Sequence, residues 1–266
     1  ICFLKSVIGM KIIKKNEFKT YLSLCSEYYD LDKPKAPKQA LDFYMQFAKQ
    51  VKGHILEPMC GTGSFLLPIL KEGFSIKGFD ASSQMLLILN RKAKEQGLSP
   101  NVWKQFLEAS DEMESYDLIF IPLGSFGLII EEKAAEDYLK KVYLQLNQNG
   151  KFVFEVETFS SAFEESNSWK VDVRHRNEHD YITLSTFQLA MEGNISTTLC
   201  KYELIESEEV KESQEEVFKL RLYEVGDLVE KLLKIGFSKI TMHKAYDYGV
   251  EPGSSDEVVV YECLKE

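Results

Sequence analysis

A glycine turn set between an apolar strand and an apolar helix leaves few folds open. Residues 55–80, ILEPMCGTGSFLLPILKEGFSIKGFD, read as strand, glycine turn, helix, short connection and second strand closed by a carboxylate. Ile55 and Leu56 give the end of a buried strand. In the turn Cys60-Gly61-Thr62-Gly63, residues without a Cβ let backbone N–H groups approach a ligand. Phe65, Leu66, Leu67, Ile69 and Leu70 fall on the apolar face of a short helix that Gly73 ends. Residues 75–79 form the second strand, and Asp80 follows it. A carboxylate about 20 residues beyond a glycine turn is placed to accept hydrogen bonds from a ribose diol.

The stretch resembles the first motif of class I S-adenosylmethionine-dependent methyltransferases, acidic-x-Gly-x-Gly-x-Gly. Glu57, Met59, Gly61 and Gly63 stand in that register, with methionine replacing the first glycine. The filled position implies an altered backbone, or a filled gap, where the chain passes the cofactor. A dinucleotide site such as NAD's is the competing reading, but its Gly-x-Gly-x-x-Gly spacing is absent: Leu66 stands three past Gly63. The resemblance runs from about residue 20 to the end and is most specific over 54–158.

It implies S-adenosylmethionine as cofactor, with Glu57, Met59, Gly61 and Gly63 at its methionine end and Asp80 and Ala81 at the ribose. Met85 would lie against the adenine, and Glu108, with Ala109 beside it, is the candidate for the adenine amine. Tyr28 and Tyr29, just before Asp30, are similar to the tyrosine-rich segment that folds over cofactor and substrate in this family. Tyr29 is taken to the cofactor and Tyr28 to the acceptor, although both also fit a helix packed on the domain.

Residues 116–121, YDLIFI, read as a strand buried on both faces. The loop after it, from Pro122 through Leu123, Gly124 and Ser125, lies where open α/β sheets bind ligands. It is not the Asn/Asp-Pro-Pro-aromatic signature of amino-methylating nucleic-acid enzymes. It looks like the Phe-Ser-Ser-Ile-Gly type of loop in small-molecule and sugar-amine N-methyltransferases. That likeness puts Leu123 at the cofactor and Ser125 at the acceptor or the cofactor's methionine end; helix capping is the plainer use of Ser125. Glu155 and Glu157 end the fifth strand, 151–157, and Glu157 is the acidic candidate for the acceptor.

Helical spacing marks 39–50, about 82–95, 131–147 and 223–235; strands are expected at 101–107, 237–246 and 257–265, the last one antiparallel. Between 159 and 222, polar and apolar residues alternate over 169–176, 181–190, 195–205 and 210–222, with Glu192-Gly193-Asn194 as a hairpin turn. This reads as an antiparallel sheet inserted after the fifth strand. In small-molecule methyltransferases such inserts roof the active site. Arg174, His175, Arg176 and His179 cluster there. Arg174 is the candidate for an anionic acceptor group and His175 for a base, against a solvated strand edge as the bland alternative.

The expected fold is therefore α/β: a Rossmann-like doubly wound, mostly parallel sheet with an antiparallel last strand, plus an inserted antiparallel β roof. The expected segments are upstream or appended residues 1–9, a helical cap 10–53, the cofactor core 54–158, the lid 159–222, and 223–266 completing the core.

A hydrophobic content of 44% supports a large core, and a net charge of −10 argues against a nucleic-acid partner. The five cysteines are scattered, without Cys-x-x-Cys, which suits a reducing, cytoplasmic setting and no zinc site. The four histidines form no His-Glu-x-x-His, and no Gly-x-Ser-x-Gly elbow is present, so metal and serine-hydrolase chemistry have no support. No apolar run approaches the ~20 residues of a membrane span. The expectation is methyl transfer to a small-molecule N or O nucleophile by a monomer or homodimer. No catalytic residue is assigned, because an amine nucleophile needs only to be deprotonated. A catalytically silent methyltransferase-like binding protein, favoured by Met59 alone, and a nucleic-acid or protein methyltransferase are the alternatives.

Overall fold

The strand-turn-helix-strand unit at residues 55–80 supplies two neighbouring strands of a seven-stranded sheet, next to its central strand at 116–121. A computed structural model describes residues 20–107 and 114–266. Strands β1 (Ile55–Pro58), β2 (Ile76–Asp80), β3 (Asn101–Lys104), β4 (Tyr116–Ile121) and β5 (Leu146–Glu157) run parallel. The last strand, β11 (Val258–Leu264), pairs antiparallel with both β5 and β10 (Lys239–Lys244). From β1 the chain winds outward through β2 and β3, then returns to place β4 and β5 on the other side. Loops on the two sides of this switch diverge and leave a crevice at the strands' carboxyl ends.

Every residue of β1 is buried, and all of β4 except Asp117, as expected for strands covered on both faces. One face carries Phe43, Tyr44 and Phe47 of α2 (Lys38–Ala48), Leu66 and Ile69 of α3 (Leu66–Lys71) and Leu89 of α4 (Ser83–Glu95). The other carries Tyr138, Leu139 and Val142 of α5 (Glu132–Gln145) and Leu232 of α6 (Val229–Ile235). Burying one such side chain is worth about 1.5–3 kcal/mol, several times any single helix-propensity difference, so these apolar stripes hold the helices to the sheet.

The inserted segment forms a second, antiparallel sheet of order β6-β7-β8-β9: Lys170–His175, Tyr181–Gln188, Ile195–Glu206 and Glu209–Arg221. Helix α1 (Ser23–Asp32) packs on it. Leu24, Cys25 and Tyr28 share a core with Ile182, Cys200, Tyr202 and Leu204. Arg221 Nε donates to the Ile130 carbonyl at 2.8 Å, tying the end of β9 to the loop after β4.

Three boundaries differ from the sequence reading. The helix expected from 223 begins at Val229, because Gly226 takes φ +92° and the Glu224 N–H donates to Asp227 Oδ2 at 2.8 Å, making a turn first. Strand β5 begins at Leu146 rather than 151. Asn149, at φ +63°, and Gly150 form an irregularity within the strand instead of a turn before it. Strand β3 stops at Lys104, and residues 105–107 turn away to line the crevice.

Candidate cofactor and acceptor site

Loops leaving the carboxyl ends of β1 to β4, with α1 and β9 above them, enclose a cavity of about 1040 Å³. Drug-sized ligands occupy pockets of roughly 300–1,000 Å³, so this one has room for a nucleoside and a second small molecule. Met59, Gly61, Asp80, Ala81 and Met85 line it, and so do Ser125, Leu128, Ile129 and β9 residues Val217, Phe218 and Lys219. Tyr21 and Tyr29 contribute from the N-terminal segment.

The glycine turn explains its own composition. Gly61 has φ +51°, and a Cβ added there would meet nothing within 4 Å, so ligand-sized space lies beside bare backbone. Gly63, at φ +78°, does different work: its Cβ would stand 2.8 Å from Leu89 Cγ, so its smallness lets α4 pack, and it does not line the cavity. Met59 adopts φ +56°, the left-handed conformation that glycine takes freely. For a side-chain-bearing residue this costs about 1–3 kcal/mol. Its side chain packs partly against the core and forms cavity wall, and the cavity stays open.

Asp80 is held from two sides. Its Oδ2 accepts the Gly61 N–H at 2.9 Å and its Oδ1 accepts the Ser82 N–H at 2.7 Å. A carboxylate offers about four lone-pair sites, so acceptor capacity remains for ligand hydroxyls. Burial pushes the Asp80 carboxyl up, and the two N–H groups oppose the rise. Burial likewise pushes Glu57 well above the usual carboxylate range; Asp80 adds to this and the Leu66 N–H works against it. Glu57 Oε2 is buried without a hydrogen-bond partner, which leaves an acceptor for a ligand donor beside the turn. An open cradle at Gly61, spare acceptors on Asp80 and an orphaned oxygen on Glu57 together suit S-adenosylmethionine.

Ser82 caps α4, its Oγ accepting the Met85 N–H at 3.2 Å, which sets Met85 in the cavity wall. Tyr29 reaches the cavity, and burial followed by the Glu57 and Asp80 charges pushes its hydroxyl up to about 12. Glu108 and Ala109 lie outside the described residues; the neighbouring Gln105, Phe106 and Leu107 line the cavity.

Past β4, Leu123 (φ +54°) and Gly124 (φ +66°) turn left-handed in succession, and Ser125 opens a 3-10 turn, Ser125–Leu128, at the cavity. Leu123 packs instead into the apolar layer under α2. The Gly124 N–H donates to buried Glu155 Oε1 at 3.1 Å, while Oε2 of Glu155 has no partner. Burial raises Glu155 to about 8. Glu157, two residues on, is also raised by burial and accepts the Ser161 hydroxyl at 3.3 Å; its Cγ lies 3.2 Å from where a Gly124 Cβ would stand. It borders the loop but does not line the cavity.

Tyr28 and Arg174 are brought to each other, away from the cavity. The Tyr28 hydroxyl donates to Asp172 Oδ2 at 3.0 Å, and the Arg174 guanidinium lies 5.7 Å from the Tyr28 ring. Arg174 Nε donates to Asp32 Oδ1 at 2.8 Å, joining β6 to α1. The sequence reading missed Tyr21, residues 105–107 and 129–131, and β9 residues 217–219. Only Tyr21 carried a signal, as a further aromatic shortly before Tyr28 and Tyr29; it precedes α1, and its ring lies 6.4 Å from that of Tyr29. Among the described residues no group of His, Cys, Asp or Glu could hold a metal ion, and no helix is long and apolar enough to cross a membrane.

Residues 55–150 match the family model described as a methyltransferase domain. A protein of Geobacillus sp. (strain WCH70), named provisionally as a methyltransferase, is 28% identical over 136 residues, covering 49% of this chain and 55% of that protein. The match spans about half the length of the curated relatives. A solved S-adenosylmethionine-dependent methyltransferase from Clostridium acetobutylicum superposes with a TM-score of 0.73 at 19% identity, covering 100% of this chain and 99% of that one. The sugar N-methyltransferase KedS8 from Streptoalloteichus sp. gives 0.73 at 15% identity over 97% and 99% of the two chains. Residues 55–150 thus match a methyltransferase domain, in a chain that shares the fold of solved S-adenosylmethionine-dependent methyltransferases.

Proposed function

We propose that the chain transfers a methyl group from S-adenosylmethionine to a small-molecule N or O nucleophile held beneath the β6–β9 sheet. The observation that carries this reading is the continuity of one cavity from Asp80 and Met85 to Ser125 and β9. Cofactor and acceptor would share one enclosure. When bound, S-adenosylmethionine supplies a methyl made electrophilic by its sulfonium. The protein's task is then alignment and exclusion of water, and alignment can be worth ~7–11 kcal/mol.

In this reading Asp80 accepts the ribose hydroxyls, Glu57 takes a donor from the methionine end, and Met85 lies on the adenine. Tyr21 and Tyr29 shield the cofactor from above. Ser125 meets the acceptor, and Glu157, outside the cavity wall, packs against Gly124 and supports the loop that carries Ser125. Tyr28 and Arg174 serve the acceptor indirectly, by fixing the lid on α1. The likeness to a sugar N-methyltransferase supports an amine over a hydroxyl acceptor. Buried, unpaired Cys25, Cys60, Cys200 and Cys263 support a reducing, cytoplasmic setting.

Calorimetry with S-adenosylmethionine and S-adenosylhomocysteine, followed by a mass-spectrometric screen of small amines and alcohols for methyl gain, tests this. Binding plus methylation of one acceptor class is the expected result. Binding without methylation of any acceptor would favour the silent binding protein, and no binding at millimolar cofactor would sink the reading.

A further inference from the structure

We infer that Glu216, a residue outside the cavity wall, is a positioning residue that couples the cofactor end of the site to the lid strand at its acceptor end. The inference rests on the proposed function. Glu216 lies on β9 and is 7% exposed. Its carboxyl oxygens accept the Tyr21 N–H and the Leu22 N–H, each at 2.9 Å. Helix α1 has no side-chain cap of its own at Leu22, and Gln214, also on β9, accepts the Leu24 N–H at 2.9 Å. The lid therefore supplies the acceptors that the first amides of α1 need.

The chain of contacts continues into the crevice. Tyr21 sits at φ +53° and lines the cavity, and its carbonyl accepts the Ser82 hydroxyl at 2.8 Å. The Ser82 N–H donates to Asp80 Oδ1 at 2.7 Å. An unbroken path thus runs Asp80, Ser82, Tyr21, Glu216. The residues directly after Glu216 are Val217, Phe218 and Lys219, which line the cavity. Burying a carboxyl is costly unless it is hydrogen-bonded, and two backbone amides and the Cys25 thiol meet this one. Here it fixes a strained tyrosine and the lid strand in one register. A ligand that orders Asp80 and Tyr21 then orders β9, and by linkage an ordered β9 favours that ligand.

The test uses the full chain and S-adenosylmethionine as probe. Glu216→Ala should weaken S-adenosylmethionine at least about tenfold by calorimetry, with partial recovery in Glu216→Gln, which keeps one acceptor oxygen. The exposed neighbour Glu215→Ala serves as control and should bind as wild type. Hydrogen exchange supplies a readout that a merely structural role would not move. Cofactor should slow exchange at 217–219 in the wild type, and in Glu216→Ala should slow it only around β2 and α4. Should Glu216→Ala fail to fold, Ser82→Ala cuts the same path from the other side and should lose the same lid protection. Wild-type affinity or undiminished protection at 217–219 in these variants would overturn this inference alone. A wild-type protein that binds no S-adenosylmethionine overturns the proposed function and this inference with it.

Discussion

The crevice holds its acids by backbone N–H groups, whereas the rim of the lid holds its charges by ion pairs. At the crevice and beneath it, Asp80, Glu57 and Glu155 accept backbone N–H groups of Gly61, Ser82, Leu66 and Gly124, and one oxygen each of Glu57 and Glu155 is left over. At the seam between lid and α1, Arg174 meets Asp32 and Arg176 meets Glu27 in half-exposed ion pairs. Leaving a buried polar partner unmade costs about 1–3 kcal/mol, whereas exposed ion pairs are worth ~0–1 kcal/mol and weaken with salt. The difference teaches that the crevice is built to stay in one shape, while the ion pairs at the rim of the seam can part at little cost.

Asp80→Ala is the sharpest way to break that contrast. It removes the proposed ribose acceptor and releases the Gly61 and Ser82 amides together. S-adenosylmethionine affinity should fall by about 100-fold or more, corresponding to ~2.7 kcal/mol. Near wild-type affinity by calorimetry would mean that the turn is not preorganised by this carboxyl.

The next effect is on stability. Burial raises Glu155 from an ordinary value of 4.5 to about 8. Between those values the folded protein holds a proton that the unfolded chain has released. Stability from this group is thus fully present below about 4.5 and is lost as pH rises through about 8. Glu57 acts in the same direction. Urea unfolding from pH 5 to pH 9 should show stability falling with pH, and Glu155→Gln should flatten the fall by about 1–3 kcal/mol at the alkaline end. An unchanged slope would remove Glu155 from the buried group.

Sequence made the crevice legible because its signals are local. A glycine turn, an apolar helix face and a strand-end acid are each read within a few residues, and Asp80, Gly61, Met85 and Ser125 all line the cavity. The lid's strands were legible from alternation, but not which strand would face the cavity. Val217 and Lys219 are set there by β9 lying at the edge of its sheet, beside the loop after β4. Arg174 looked free because Asp32, its partner, lies 142 residues earlier. Gly63 misled for another reason: a glycine can make room for a neighbouring helix as readily as for a ligand, and only the nearness of Leu89 tells them apart.

The lid side of the contrast predicts a smaller, salt-dependent change. Arg174→Ala should cost ~1 kcal/mol or less in urea unfolding at low ionic strength, and less again near 1 M salt, where the Debye length is about 3 Å. A larger loss that salt does not touch would mean the seam is bound as firmly as the crevice.

Met59→Gly should give the smallest effect, and it decides how the crevice accommodates its one departure from the motif. Glycine relieves a left-handed methionine, a gain of about 1–3 kcal/mol. Against that stand about 0.5–1 kcal/mol of added chain entropy and the loss of a half-buried side chain from the core edge. These terms nearly cancel, so stability should move by ~1 kcal/mol or less and cofactor affinity by less than about threefold. Met59→Val separates them, because a β-branched residue keeps and worsens the strain while losing reach; it should be the less stable of the two variants. A tenfold tighter cofactor in Met59→Gly would instead show the methionine obstructing the crevice, and would move the balance toward a protein that binds without turning over.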